Sequence, residues 1–309
     1  MKHHRRLADL LQYSAARLLF FCLGRLPRRL AIAGGRALAR ALYRLSGKLR
    51  RIGDFNLKMA FPEMDAGERQ RLLRASMVNL GRHLSEFSRL SALTPEALRK
   101  AIDCEGLENL ESARTGGRGV ILITAHLGAW EMISFAIAAL GYPFDFLVRR
   151  IENSAIERAI EESRTRFGNR TIDKRGAARS MLTTLRTGGV LGLAVDINVV
   201  RDKGIFVDFF GVPASTTFMA AKLALRTGSP IVPVFAPWDD LRCRFVISFD
   251  APLTIVPSGD EKEDIRQLTS SFTKIIEERV RRHPDQWLWI HKRWRTRAVG
   301  EKNFYAALE

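Results

Sequence analysis

The sequence predicts an α/β protein with a mixed central sheet and helices on both faces. Three observations carry this expectation. The uncharged apolar runs at 120–125 and 190–195 have the length and composition of buried strands. Strand patterns recur at 231–235 and 242–249, the second alternating in character. Helical periodicity fills the intervals between 50 and 90, 132 and 140, and 218 and 226, which places helices around the strands. The 309 residues are 46% hydrophobic and 27% charged, enough apolar material for a packed core, which excludes a disordered, collagen-like or disulfide-framework chain. Cys22, Cys104 and Cys243 lie far apart without Cys-x-x-Cys spacing, and His3, His4, His83 and His283 show no ligand pattern, so no metal site or redox motif is expected.

The net charge is +17, and its distribution is uneven: residues 1–60 hold 14 Lys and Arg against Asp9 and Asp54, twelve of those positive charges. Residues 7–45 mix apolar runs with arginines every few positions, and Pro27 splits them into two helices. Arg17 and Arg25 bracket an uncharged stretch much shorter than the roughly 20 residues a membrane span needs. Arg17 also breaks the apolar run that a secretory signal requires. The segment therefore predicts a basic amphipathic anchor lying in the interface of an anionic membrane, with an ordinary core helix bearing a solvated basic face as the alternative. The expected division is an anchoring segment over 1–48 and a catalytic body over 49–309.

Asp65 is placed to cap the helix that carries Leu72, Leu73, Met77, Leu80, Leu84 and Phe87 at helical spacing, predicting one buried stripe. Thr94 and Pro95 mark the next helix start. After the glycine-rich loop at 115–119, the first buried strand ends at His126, and a helix from Met132 to Leu140 stops at Gly141. The chemistry-bearing motif is thus His-x4-Glu, His126 and Glu131, at a strand-to-helix turn where open α/β sheets bind ligands. Gly128 allows the close turn that would bring Glu131 back to the ring. A carboxylate on one imidazole nitrogen fixes the tautomer and makes the other nitrogen a better general base.

The chain resembles the late acyltransferases of lipid A biosynthesis and related bacterial glycolipid acyltransferases. The resemblance is carried by NLKMAFPE at 56–63, GVILITAHLGAWE at 119–131, VRRIEN at 148–153, RTRFG at 164–168, GGVLGLAVD at 188–196, FFGVPA at 209–214 and PDQWLWIHKRW at 284–294. It implies a glycerolphosphate-acyltransferase-like fold on the cytoplasmic face of the inner membrane. It also implies that His126, with Glu131 as partner, takes a proton from a hydroxyl of a lipid A precursor or related glycolipid acceptor. The alkoxide then attacks a fatty acyl thioester borne by acyl carrier protein or by CoA, with no further cofactor. A direct attack needs no acyl-enzyme, which agrees with the lack of a Gly-x-Ser-x-Gly elbow.

By the same resemblance Arg149 and Arg164 are candidates to hold donor or acceptor phosphates or to support the oxyanion, or else pair with Glu152, Glu161 or Glu162. Many relatives have Asn-Pro where this chain has Asn153-Ser154, which leaves the local turn open. Asp196, at the end of the second buried strand, is expected to orient a site residue, shape the acceptor pocket or cap the loop at 197–203; Asp208 is a weaker acidic candidate. Ser215 or Thr216 is expected to cap the helix at 218–226.

Trp287, Trp289 and Trp294, interleaved with basic residues, favour a headgroup-level surface over a base-stacking platform, with bracing of the core near the site as the alternative for some of them, while His291 is expected to be structural. The expected partners are acyl carrier protein, which an acidic surface would draw to this basic one, anionic lipids and the glycolipid acceptor; no nucleic-acid motif accompanies the charge. A non-catalytic membrane-associated relative or an acyl thioesterase is the alternative function.

Overall fold

The structure, a computed structural model, describes residues 2–148, 153–173, 176–254 and 256–308. Helices come first. α1 (Lys2–Arg25) and α2 (Arg28–Leu45) part at Pro27, which has no N–H to continue α1 and stands instead at the N-cap of α2. Ser46 caps α3 (Gly47–Ala60), its hydroxyl accepting from the Leu49 N–H. α4 (Ala66–Leu90) begins with a reciprocal capping box between Asp65 and Glu68. Thr94 caps α5 (Pro95–Ala101), with Pro95 in its first turn.

The remaining elements are β1 (Asp103–Glu105), α6 (Leu107–Arg114), β2 (Val120–Thr124), α7 (Trp130–Ala139), β3 (Phe144–Val148), α8 (Ser154–Thr165), β4 (Arg170–Asp173), α9 (Ala177–Arg186) and β5 (Val190–Ala194). They are followed by β6 (Gly204–Phe209), β7 (Val212–Thr217), α10 (Met219–Thr227), β8 (Ile231–Phe235), β9 (Trp238–Asp239), β10 (Arg244–Phe249) and α11 (Glu261–Arg282). The main sheet runs β1-β10-β8-β2-β5-β3-β4, with β9 added on β10. β8, β2, β5, β3 and β4 run parallel to one another, whereas β10 is antiparallel to β8, so the sheet is mixed as expected.

Alternate side chains of the central strands enter two separate cores. Ile121, Ile123, Leu191, Leu193 and Ile231 face α9, α10 and α11, while Val120, Leu122, Val190, Val232 and Val234 face α5, α6 and α7. β6 and β7 form a separate hairpin in place of the cap expected at Ser215 or Thr216. Ser215 and Thr216 lie within β7, fully buried, and α10 starts after Phe218 without a side-chain cap. A run of small and β-branched residues, Val212 to Thr217, pairs residue by residue with β6, and this strand pairing overrides the capping pattern.

The C-terminal tryptophans correct the surface expectation and follow the alternative, bracing the core. Trp287, Trp289 and Trp294 are core residues, each at most 2% exposed, rather than a headgroup-level surface. The physical reason lies in their neighbours: the Trp289 indole donates to the Pro284 carbonyl at 2.6 Å, and Trp287 and Trp289 pack edge to face at 4.7 Å.

Candidate active site

The two central strands set the site. β2 and β5 are parallel neighbours with Thr124 opposite Ala194, so His126 and Asp196 each stand two residues beyond the last matched pair. The Asp196 carboxylate consequently meets His126 twice. Oδ1 accepts from Nδ1 of the ring at 2.8 Å and Oδ2 accepts the backbone N–H of His126 at 2.8 Å. The Trp287 indole N–H adds a third donor to Oδ2 at 2.8 Å. Asp196 is 1% exposed at its side chain, whereas His126 keeps 22% of its side chain exposed.

An ionised carboxylate only accepts, so its bond places the ring proton on Nδ1 and leaves Nε2 as a free lone pair. Burial draws the His126 pKa down, but the charge and hydrogen bond of Asp196, with the charge of Glu131, outweigh it and lift the pKa above its usual value. Burial favours the neutral form of Asp196. The charge of His126 and the three donated hydrogen bonds prevail and hold the carboxyl well below its usual range. The pair is an imidazole oriented and made more basic by a buried carboxylate, which suits proton removal from a hydroxyl.

The turn after His126 is fixed by backbone. Gly128 donates to the Gln286 carbonyl at 3.0 Å, and Leu288 donates to the His126 carbonyl at 3.0 Å, so the C-terminal tryptophan segment runs alongside this turn. Gly128 has φ +62°, and a Cβ there would stand 2.0 Å from the Ala236 carbonyl oxygen, so only glycine fits.

Glu131 is not the hydrogen-bonded partner of His126. α7 begins at Trp130, and Glu131 sits in its first turn, where Arg164 of α8 takes both its oxygens at 2.7 and 3.2 Å. Burial pushes Glu131 up, yet the Arg164 charge and hydrogen bonds, with His83 and His126, bring its pKa below the usual value. Arg164 is thereby committed to Glu131 rather than to Glu161 or Glu162. Arg149 lies outside the described residues. Asp208 is exposed on β6, accepting the Gly211 N–H at 3.0 Å in the hairpin turn, so the structure does not bring it to the site. Its strand belongs to the separate hairpin, whose turn, not a catalytic group, its carboxylate serves.

Asn153 caps α8, its Oδ1 accepting from the Ala155 and Ile156 N–H groups, which settles the local turn. His291 is structural: its Nε2 accepts the Asn198 N–H at 3.0 Å, and burial lowers its pKa to about 4. His83 is an unexpected neighbour, packed edge-on against Trp130 at 4.3 Å and pushed down to about 4 by burial. Its position on the buried face of α4 was signalled by the stripe between Met77 and Phe87.

An apolar cavity of about 340 Å³ opens between α1, α2, α4, α7 and α8. Phe20, Leu38, Met77, Leu80 and Phe87 supply apolar walls, and Trp130, Glu131 and Arg164 line it as well. Trp130 also contacts the His126 ring at 5.2 Å, which links the cavity to the imidazole.

Comparison with known proteins matches the chain to one family. The family model for bacterial lipid A biosynthesis acyltransferases matches residues 1–296. The lipid A biosynthesis palmitoleoyltransferase of Escherichia coli (strain K12) is 29% identical over 256 residues, 81% of this chain and 80% of the relative. The lipid A biosynthesis myristoyltransferase of the same organism is 24% identical over 264 residues, 85% of this chain and 80% of the relative. A phosphatidylinositol mannoside acyltransferase of Mycobacterium tuberculosis (strain ATCC 25618 / H37Rv) is 24% identical over 229 residues, 72% of this chain and 70% of the relative. This chain belongs to the bacterial lipid A biosynthesis acyltransferases, a family of O-acyltransferases.

Proposed function

We propose that the protein transfers a fatty acyl chain from a thioester, carried by acyl carrier protein or CoA, to a hydroxyl of a lipid A precursor or related glycolipid at the cytoplasmic face of the inner membrane. The observation that carries the reading is the free Nε2 of His126, aimed by the bond from Nδ1 to buried Asp196. Nε2 takes the hydroxyl proton as the oxygen attacks the thioester carbonyl. The tetrahedral oxyanion collapses by breaking the C–S bond, and the thiolate recovers the proton from the imidazolium. A thioester is already activated, so positioning and proton removal supply much of the needed rate. The apolar cavity beside Trp130 holds the acyl chain, and the basic N-terminal segment favours an acidic donor protein and anionic lipid.

The test is product mass. The full chain is incubated in vesicles with acyl carrier protein and CoA thioesters and candidate glycolipids. The acyl mass is expected on the acceptor, and His126→Ala is expected to lower turnover by about 10² to 10⁴ with the fold retained. Free fatty acid without acylated acceptor would assign a thioesterase instead.

A further inference from the structure

We infer that a second pocket, distinct from the one beside His126, binds the phosphate group of a membrane lipid. It lies between the start of α2, the C-terminal half of α4, the end of α5 and β10, and encloses about 150 Å³. The inference rests on the reading of the protein as membrane-associated.

Four cations line it: Arg28, Arg89, Lys100 and Arg244. They are drawn from four separate elements, so the cluster is a product of the tertiary fold and not a basic run of sequence. Glu86 is the lining acid, with a side chain 3% exposed, and it works as a brace. One of its oxygens accepts from Arg28 Nε at 2.6 Å and the other from Arg89 Nε at 3.2 Å, fixing both guanidinium planes. Arg28 Nη2 is held in turn by the Cys243 carbonyl at 2.6 Å. Arg244 pairs with Asp103 at 2.9 Å. Lys100 makes no ion pair among the described residues. The four cations against Glu86 and Asp103 leave two positive charges over, the charge of a phosphate monoester dianion, and guanidinium forks match its oxygens.

The surroundings favour a lipid as the bearer of that phosphate. The floor is apolar, formed by Leu90, Met132 and Phe245. Along the chain, Leu26 and Leu30 flank Arg28, and both are exposed. Leu241, 98% exposed at the tip of the β9–β10 turn, stands two residues from the Cys243 carbonyl that holds Arg28. Exposed leucines close in the chain to a braced cationic pocket fit an interface in which the side chains enter the acyl layer while the pocket takes the headgroup.

The experiment measures binding of the full chain to phosphatidylcholine vesicles with and without phosphatidic acid, and to inorganic phosphate alone. The variant Lys100→Gln/Arg244→Gln removes two pocket charges. Arg186→Gln/Arg226→Gln removes two exposed charges on α9 and α10, on the other side of the sheet. The pocket variant is expected to bind phosphatidic acid vesicles about tenfold more weakly, with the control variant unchanged. A third variant, Leu30→Gln/Leu241→Gln, is expected to weaken vesicle binding while leaving inorganic phosphate binding intact.

Equal losses in pocket and control variants, or none in the pocket variant, would overturn the site. An unchanged Leu30→Gln/Leu241→Gln variant would overturn the lipid as source and leave a site for free phosphate. Thermal midpoints confirm that each variant is folded. His126→Ala binds the vesicles like the wild type, so failure of this inference and failure of the acyl-transfer reading separate cleanly.

Discussion

Gly128 shows how little freedom a single residue of the turn after His126 has. Its φ of +62° and the 2.0 Å approach of the Ala236 oxygen leave no place for a Cβ. Gly128→Ala is therefore expected to cost at least about 1–2 kcal/mol from conformation alone, read as a lower denaturation midpoint, and to displace His126, read as lost turnover. At Glu131 the short spacing to His126 suggested a dyad, but the nearer cation across the helix interface is Arg164, and it takes the carboxylate. A double-mutant cycle in thermal stability with Glu131→Gln and Arg164→Gln should show coupling of about 0.5–3 kcal/mol, larger than that between Glu131 and His126. The His126–Asp196 pair also has a pH signature in stability. The depressed Asp196 contributes fully above its unfolded pKa, near 3.8, and that contribution is lost as pH falls through the lower folded value. The raised His126 contributes fully below its unfolded pKa, near 6.5, and is lost as pH rises through the higher folded value. The pair's stabilisation is greatest between the two, and Asp196→Asn should flatten that part of the stability profile.

At the scale of elements, both buried strands were legible because each is an uncharged β-rich run ending in one polar residue. What the sequence does not contain is adjacency. Equal overhangs bring His126 and Asp196 together only because β5, distant in sequence, inserts between β2 and β3. The helix starts at Asp65 and Thr94 were legible for a different reason, since caps are local chemistry. The tryptophan segment was not, because alternating Trp and basic residues look the same whether the indoles face lipid or core; Asp196 and the Pro284 carbonyl decide it by accepting their N–H groups. The packing of α2 on α4 depends on Gly35 and Gly81: a Cβ on Gly81 would lie 2.3 Å from the Gly35 carbonyl oxygen and 2.8 Å from the Ala39 Cβ. Gly81→Ala is expected to spread these helices at a cost of about 1–3 kcal/mol, measured as a fall in thermal midpoint, and to disturb the cavity they wall.

Over the whole molecule, charge and exposed apolar surface coincide at the N-terminal end. Leu30, Leu38, Leu42 and Leu45 share one exposed side of α2, and Leu18 and Phe21 are exposed on α1. Among the described residues no helix is long and apolar enough to cross a membrane. Interfacial binding is expected, with affinity for anionic vesicles falling as salt rises, and Leu38→Gln/Leu45→Gln should weaken it about tenfold or more at any salt, by vesicle flotation. On the proposed function, membrane contact, apolar cavity and paired strand ends together would deliver one hydroxyl to one imidazole. The pH dependence of kcat/KM for wild type and Asp196→Asn tests that claim most directly. The wild type should show an acid limb above pH 6.5, the imidazole's usual value. Loss of the Asp196 charge should move the limb to lower pH and reduce the plateau. A limb that stays in place with an unchanged plateau would contradict the account.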